Sequence, residues 1–214
     1  MKKVILIGDS IRMGYDKYVK EALDGVAEVW YPDDNCQYAE NVLRFVHEWI
    51  EKSGFGADVD LIHWNAGLWD CLELFGDEPL TTIDYYKNAI GRIYKRIRMV
   101  CPNAKIVFAT STSVNEAMAR PEFFRHNSVI KEYNEAAIEV LSDTDAIIND
   151  LWSLSCTFPD SYHSDFVHYY TPEGTEHLGG KVLSVICSEL NISAKDVNIE
   201  NFEPEKYSKE NIGF

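Results

Sequence analysis

Five short apolar runs, each followed by residues at helical spacing, constrain this chain to an α/β architecture. The first run, Lys3-Val4-Ile5-Leu6-Ile7, has no polar face after its lysine and reads as a strand buried on both sides. Arg12 to Leu23 is compatible with a helix. Val26 to Tyr31 reads as a second strand, closed by Pro32-Asp33-Asp34. Tyr38, Val42, Phe45, Val46 and Trp49 then recur at helical spacing. Val59 to Trp64 forms a third strand-like run. Tyr86, Ile90, Ile93 and Ile97 mark one face of a helix that must end before Pro102. Lys105 to Ala109 is a fourth strand, Phe123 to Leu141 is mainly helical, and Asp145 to Asn149 is a fifth strand. Pro172 at the first helical position, with Thr171 as N-cap, opens a last helix that reaches Leu190.

Strands alternating with helices in this way imply a doubly wound parallel sheet. A length of 214 residues suits one such domain, expected over 1–190, with a polar C-terminal extension at 191–214. The formal net charge of −15 argues against nucleic acid and against anionic membranes as partners. The first apolar run is too short for a signal-peptide core or a membrane span, and Gly8-Asp9 interrupts it, so a cytoplasmic protein is expected. Cys36, Cys71, Cys101, Cys156 and Cys187 are scattered, with no Cys-x-x-Cys pair. Neither a zinc knuckle nor a disulfide framework is indicated.

In a parallel sheet the carboxyl ends of all strands lie on one side, where ligands bind. Gly8-Asp9-Ser10 stands at the end of the first strand, where a helix begins and free N–H groups gather. Asn35-Cys36-Gln37 follows the second strand. Asn65, Gly67 and Asp70 follow the third. Asp165 and His168 lie in the long loop beyond the fifth.

Serine is a poor nucleophile at neutral pH and needs a base, which in turn needs an orienting carboxylate. His168 fits as the base for Ser10, because histidine titrates near neutrality. Asp165, three residues earlier, is placed to hold the other ring nitrogen. The competing reading makes Asp165 and His168 an ordinary surface pair. His47, His63, His126 and His177 fall in or beside helices and strands, as structural histidines do. His163 with Asp160, Asp165 and His168 offers a metal site on paper. The spacing matches no familiar zinc pattern, so no metal is expected.

Gly8-Asp9-Ser10 together with Asp165-Phe166-Val167-His168 and Thr171-Pro172-Glu173-Gly174 resembles the first and last blocks of the SGNH hydrolases, also called the GDSL esterase/lipase family. The resemblance implies a flavodoxin-like, three-layer α/β/α sandwich around a five-stranded parallel sheet. It also implies Ser10 as nucleophile, His168 as base, Asp165 as its partner, and no cofactor.

The middle blocks depart from the family. Aligned on Gly67 and Asp70, the family's oxyanion asparagine is replaced by Trp69. Asn65 lies two residues before Gly67, on the same side of an extended strand, and is expected to supply the missing amide. No glycine follows the second strand; the backbone N–H of Cys36 is expected to serve there, beside that of Ser10. The Asn-Cys segment with an Asn-x-Gly-Leu-x-Asp block resembles a subgroup of bacterial SGNH-like proteins. For that subgroup acylated sugars are implied as substrates by analogy of fold. Arg12 and Asn35 are candidate substrate contacts, with a surface salt bridge as the equal alternative for Arg12; Trp69 and Trp152 either stack on a sugar ring or belong to the core, the commoner role of tryptophan.

The expected function is therefore hydrolysis of O-acyl, above all O-acetyl, esters of carbohydrates or related small molecules. A small-molecule or oligosaccharide ester is the expected partner. Two other readings compete with it. Phosphoryl chemistry lacks the Walker Gly-Lys-Ser/Thr, and Ile11 stands where a haloacid dehalogenase-like site needs a second aspartate. A catalytically weak carbohydrate-binding module on the same fold is the other, motivated by Trp69.

Overall fold

The computed structural model describes residues 1–199. Its sheet elements are β1 (Lys2–Ile7), β2 (Ala27–Trp30), β3 (Leu61–Trp64), β4 (Glu73–Leu74), β5 (Lys105–Ala109), β6 (Phe123–Phe124) and β7 (Ile147–Asn149). Its helices are α1 (Ser10–Ala22), α2 (Ala39–Lys52), α3 (Ile83–Val100), α4 (Asn127–Leu141), α5 (Leu151–Ser155) and α6 (Pro172–Leu190).

The main sheet is fully parallel, in the order β2-β1-β3-β5-β7. This is the flavodoxin-like order, and it reverses direction at β1. Val4 to Ile7 of β1 are completely buried, as a strand covered on both faces must be. Helices α1 and α6 pack together, whereas α2 packs on α3 and α3 on α4. The result is the expected three-layer α/β/α sandwich. The buried faces of the helices explain their boundaries. In α3, Tyr86, Ile90, Ile93 and Ile97 point inward, and the helix stops at Val100, two residues before Pro102. In α6, Thr171 accepts the Gly174 N–H at 3.0 Å, and Pro172 fills the first helical position.

Two segments differ from expectation. The helix expected from Phe123 begins at Asn127, because Phe123 and Phe124 pair antiparallel with Leu74 and Glu73. The residues after β7 form the short helix α5, since the Asp150 side chain accepts the Ser153 N–H at 2.9 Å and caps a turn. Of the expected C-terminal extension, Ile192, Val197 and Ile199 pack on the core, and the Lys195 N–H donates to the Ala22 carbonyl at 2.9 Å. Residues 200–214 lie outside the described residues. Among the described residues no helix is long and apolar enough to cross a membrane.

Candidate active site

The carboxyl edge of the sheet brings β1, β3 and the loop before α6 together around one hydroxyl. Ser10 is the first residue of α1, with Asp9 as N-cap: the Asp9 carboxylate accepts the Ile11 N–H at 3.0 Å. At that position the Ser10 N–H has no acceptor within the helix. The Ser10 Oγ lies 2.8 Å from Nε2 of His168, and Nδ1 of His168 lies 2.7 Å from Oδ2 of Asp165. The Asp165 Oδ1 accepts the N–H groups of both Val167 and His168 at 2.8 Å. The loop is thus folded back on itself by the same carboxylate that meets the imidazole. Burial works against the charge of Asp165, but His168 and these two amides outweigh it and hold its pKa down to about 2.

Tyr170 was not singled out from the sequence. Its hydroxyl donates to the Ser10 carbonyl at 2.6 Å, and its ring stacks on His168 with centroids 4.7 Å apart. Gly14 makes room for it, because a Cβ there would stand 2.8 Å from the Tyr170 ring. A helical glycine one turn after a serine, and a tyrosine two residues after a histidine, were the available signals.

Asn65 follows β3 directly, and its N–H donates to the Ile7 carbonyl at 3.0 Å, which seats it beside the Ser10 turn. Its side chain is buried against Gly8; a Cβ at Gly8 would collide with the Asn65 amide oxygen. The amide also lies close enough to Asp9 to stabilise its charge. Burial is the larger effect and raises the Asp9 pKa. Asp70 is completely buried nearby in sequence, after β3. Both of its oxygens accept the Ala39 N–H at the start of α2, and burial pushes it up to about 7.

Several expected contributors are placed otherwise. The Cys36 N–H, expected as an oxyanion donor, donates to the Gly8 carbonyl at 3.2 Å. This bond anchors the loop after β2 to the Ser10 turn. Arg12, expected at the substrate, is 1% exposed. Its guanidinium pairs with Asp16 and donates to the Asp34 carbonyl at 2.7 Å, because residue 12 faces inward on α1. Asn35 uses its Oδ1 to accept the Gln37 N–H at 2.9 Å, which supports the left-handed Gln37 at φ 54°; its Nδ2 is buried without a partner. Trp152 is half-buried in α5 and packs on the core, since the turn capped by Asp150 carries it there. Trp69 is half-buried above the guanidinium of Arg125, 5.9 Å from ring centroid to Cζ. His163 lies against Tyr169, with ring centroids 4.1 Å apart.

No family model matches this chain, and no curated protein matches it. Solved structures do. A lipase/acylhydrolase from Enterococcus faecalis aligns with TM-score 0.68 at 20% identity, over 92% of this chain and all (100%) of that one. An acetyl xylan esterase aligns with TM-score 0.68 at 15% identity, over 86% and 99%. A carbohydrate esterase family 3 protein from Talaromyces cellulolyticus aligns with TM-score 0.64 at 14% identity, over 90% and 100%. The chain therefore shares its fold with these solved hydrolases at low sequence identity.

Proposed function

We propose that this chain is a serine esterase that hydrolyses O-acyl esters, with O-acetyl esters of carbohydrates or related small molecules as its substrate class. The observation that carries this reading is the unbroken hydrogen-bonded path from Ser10 through His168 to Asp165, at 2.8 and 2.7 Å. That path is the minimum needed to activate a serine hydroxyl. As the Ser10 Oγ bonds to the ester carbonyl carbon, His168 Nε2 takes its proton and the carbonyl π pair moves onto oxygen. Collapse of this adduct breaks the bond to the alcohol, which leaves with the proton from His168. A water deprotonated by His168 then attacks the acyl carbon; collapse breaks its bond to Ser10 Oγ, which takes the proton back from His168 as the acid leaves. Asp165 holds the ring and balances the imidazolium. The Ser10 N–H and the Asn65 amide are the donors this reading assigns to the growing negative charge. The carbohydrate part of the reading draws on two proteins of similar fold, an acetyl xylan esterase and a carbohydrate esterase.

A fluorophosphonate probe tests the reading directly. The expected result is one adduct on Ser10 by mass spectrometry, absent from Ser10→Ala, with turnover of acetylated sugars that chelators do not affect. A folded protein that binds sugars but neither labels at Ser10 nor turns over any ester would favour the non-catalytic binding module. The engaged Cys36 N–H is the observation on that side.

A further inference from the structure

Arg125 is a buried cation without a carboxylate partner. It is 1% exposed, and it makes no ion pair among the described residues. Its Nε donates to the Leu68 carbonyl, and its Nη1 has no partner among the described residues. Three aromatic rings surround it instead: Phe123 at 5.0 Å, Phe166 at 5.7 Å and Trp69 at 5.9 Å from Cζ to ring centroid. Ring faces attract a guanidinium, but they neutralise none of its charge. Arginine is almost never fully buried unless paired, because an uncompensated interior charge is costly.

The surrounding residues locate that charge. Leu68 and Trp69 belong to the turn from Gly67 to Asp70 that follows β3. Phe166 adjoins Asp165. The guanidinium therefore bridges the two loops that flank Ser10. Burial disfavours its charged form, while Cys71 first, then Asp9 and Asp165, favour it. The residue roofing it, Trp69, occupies the position where the resembling family carries its oxyanion asparagine.

We propose that Arg125 is an electrostatic residue of the esterase reaction. Its positive charge, enclosed beneath Trp69, stabilises the negative charge that forms on the substrate carbonyl oxygen, and so takes over part of the role of the absent asparagine amide. The inference rests on the esterase reading above. A charge fixed in a dry interior acts over several ångströms without touching the substrate and without reorganising when the reaction occurs. A plain structural rivet between the two loops is the competing account.

The test compares Arg125→Met, Arg125→Gln and Arg125→Lys in the full chain. An activated acetyl ester reports kcat and KM. A small alkyl boronic acid, which forms an anionic tetrahedral adduct on a reactive serine, reports affinity for the charged state. The neutral variants are expected to lose about tenfold to a hundredfold in kcat, with KM changed less than about threefold and boronate affinity falling in parallel. Arg125→Lys is expected to recover most of both. A neutral variant that folds and keeps kcat and boronate affinity within about twofold overturns the inference. So does a kcat loss in which boronate affinity is unchanged, or a lysine variant as impaired as the neutral ones. Two neutral residues of different shape keep the test open should one fail to fold, and the lysine variant serves should both fail. If the unmutated protein neither labels at Ser10 nor hydrolyses esters, the esterase reading fails and takes this inference with it. Normal turnover that ignores Arg125 overturns the inference alone.

Discussion

The Tyr170 hydroxyl donates a 2.6 Å hydrogen bond to the Ser10 carbonyl, tying the loop that carries His168 to the first turn of α1. The same ring lies against the imidazole. One side chain thus sets the separation between the hydroxyl and the nitrogen proposed to deprotonate it. Tyr170→Phe keeps the ring and removes the bond. It is expected to destabilise the fold by about 0.5–1.5 kcal/mol, the net worth of one hydrogen bond, because the Ser10 carbonyl keeps its place in the ladder of α1. Activity should fall only several-fold, because the stacking survives. Chemical denaturation and initial rates check both parts; unchanged stability would show that the bond holds nothing in place.

Asp165→Asn replaces the orienting carboxylate with a neutral amide of the same shape. Loss of that orientation favours the wrong imidazole tautomer and is expected to lower kcat by about 10⁴-fold. Circular dichroism should stay near that of the parent. A rate within tenfold of the parent would remove Asp165 from the mechanism.

Asn65→Ala removes the amide proposed to face the oxyanion. The expected loss is about a hundredfold to a thousandfold in kcat with little change in KM. A rise in KM at constant kcat would instead make Asn65 a ground-state binding residue.

Asp70 predicts how stability depends on pH. Its folded pKa is raised to about 7, well above the ordinary 3.8 of an aspartate. Between those values the folded protein holds a proton that the unfolded chain has released. Stability therefore falls as pH rises from about 4 to about 7, and levels off on either side. Asp16, raised to about 6 by burial against the opposing pull of Arg12, adds to the same slope. Asp165 acts in the opposite sense at lower pH: its contribution is present above about 4 and is lost as pH falls toward 2. Urea titrations at several pH values should show the fall, and Asp70→Asn should flatten it. An equal slope in the variant would place the effect elsewhere.

The sheet was legible because burial on both faces restricts residue types. Val4 to Ile7 and Leu61 to Trp64 admit few other readings. The candidate triad residues stood out because a serine at a strand end and an Asp-x-x-His loop are rare together. The ribbon of β4 and β6 was not legible: two residues per strand leave no period, and Phe123-Phe124 continued the pattern of the helix behind them. Backbone donors were equally hidden. Nothing in the identity of Cys36 tells that its N–H meets the Gly8 carbonyl, since every residue except proline has one. Arg12 misleads and Arg125 gives no signal at all, for a common reason. Arginine usually lies at the surface, so a sequence gives no notice when one is enclosed. Of the two, only Arg12 has a carboxylate, at i+4, to announce its pairing.

Ser10 and His168 are separated by 158 residues along the chain and by 2.8 Å in space. If His168 is the base, the hydroxyl has none until α6 has packed on α1, and every strand of the main sheet lies between the two in order of synthesis or precedes them. On the same reading a partly folded copy carries an inert serine. Under the esterase reading, reaction at Ser10 counts completed molecules, and a covalent probe for it would measure folding yield in a cell extract without a separate assay for structure.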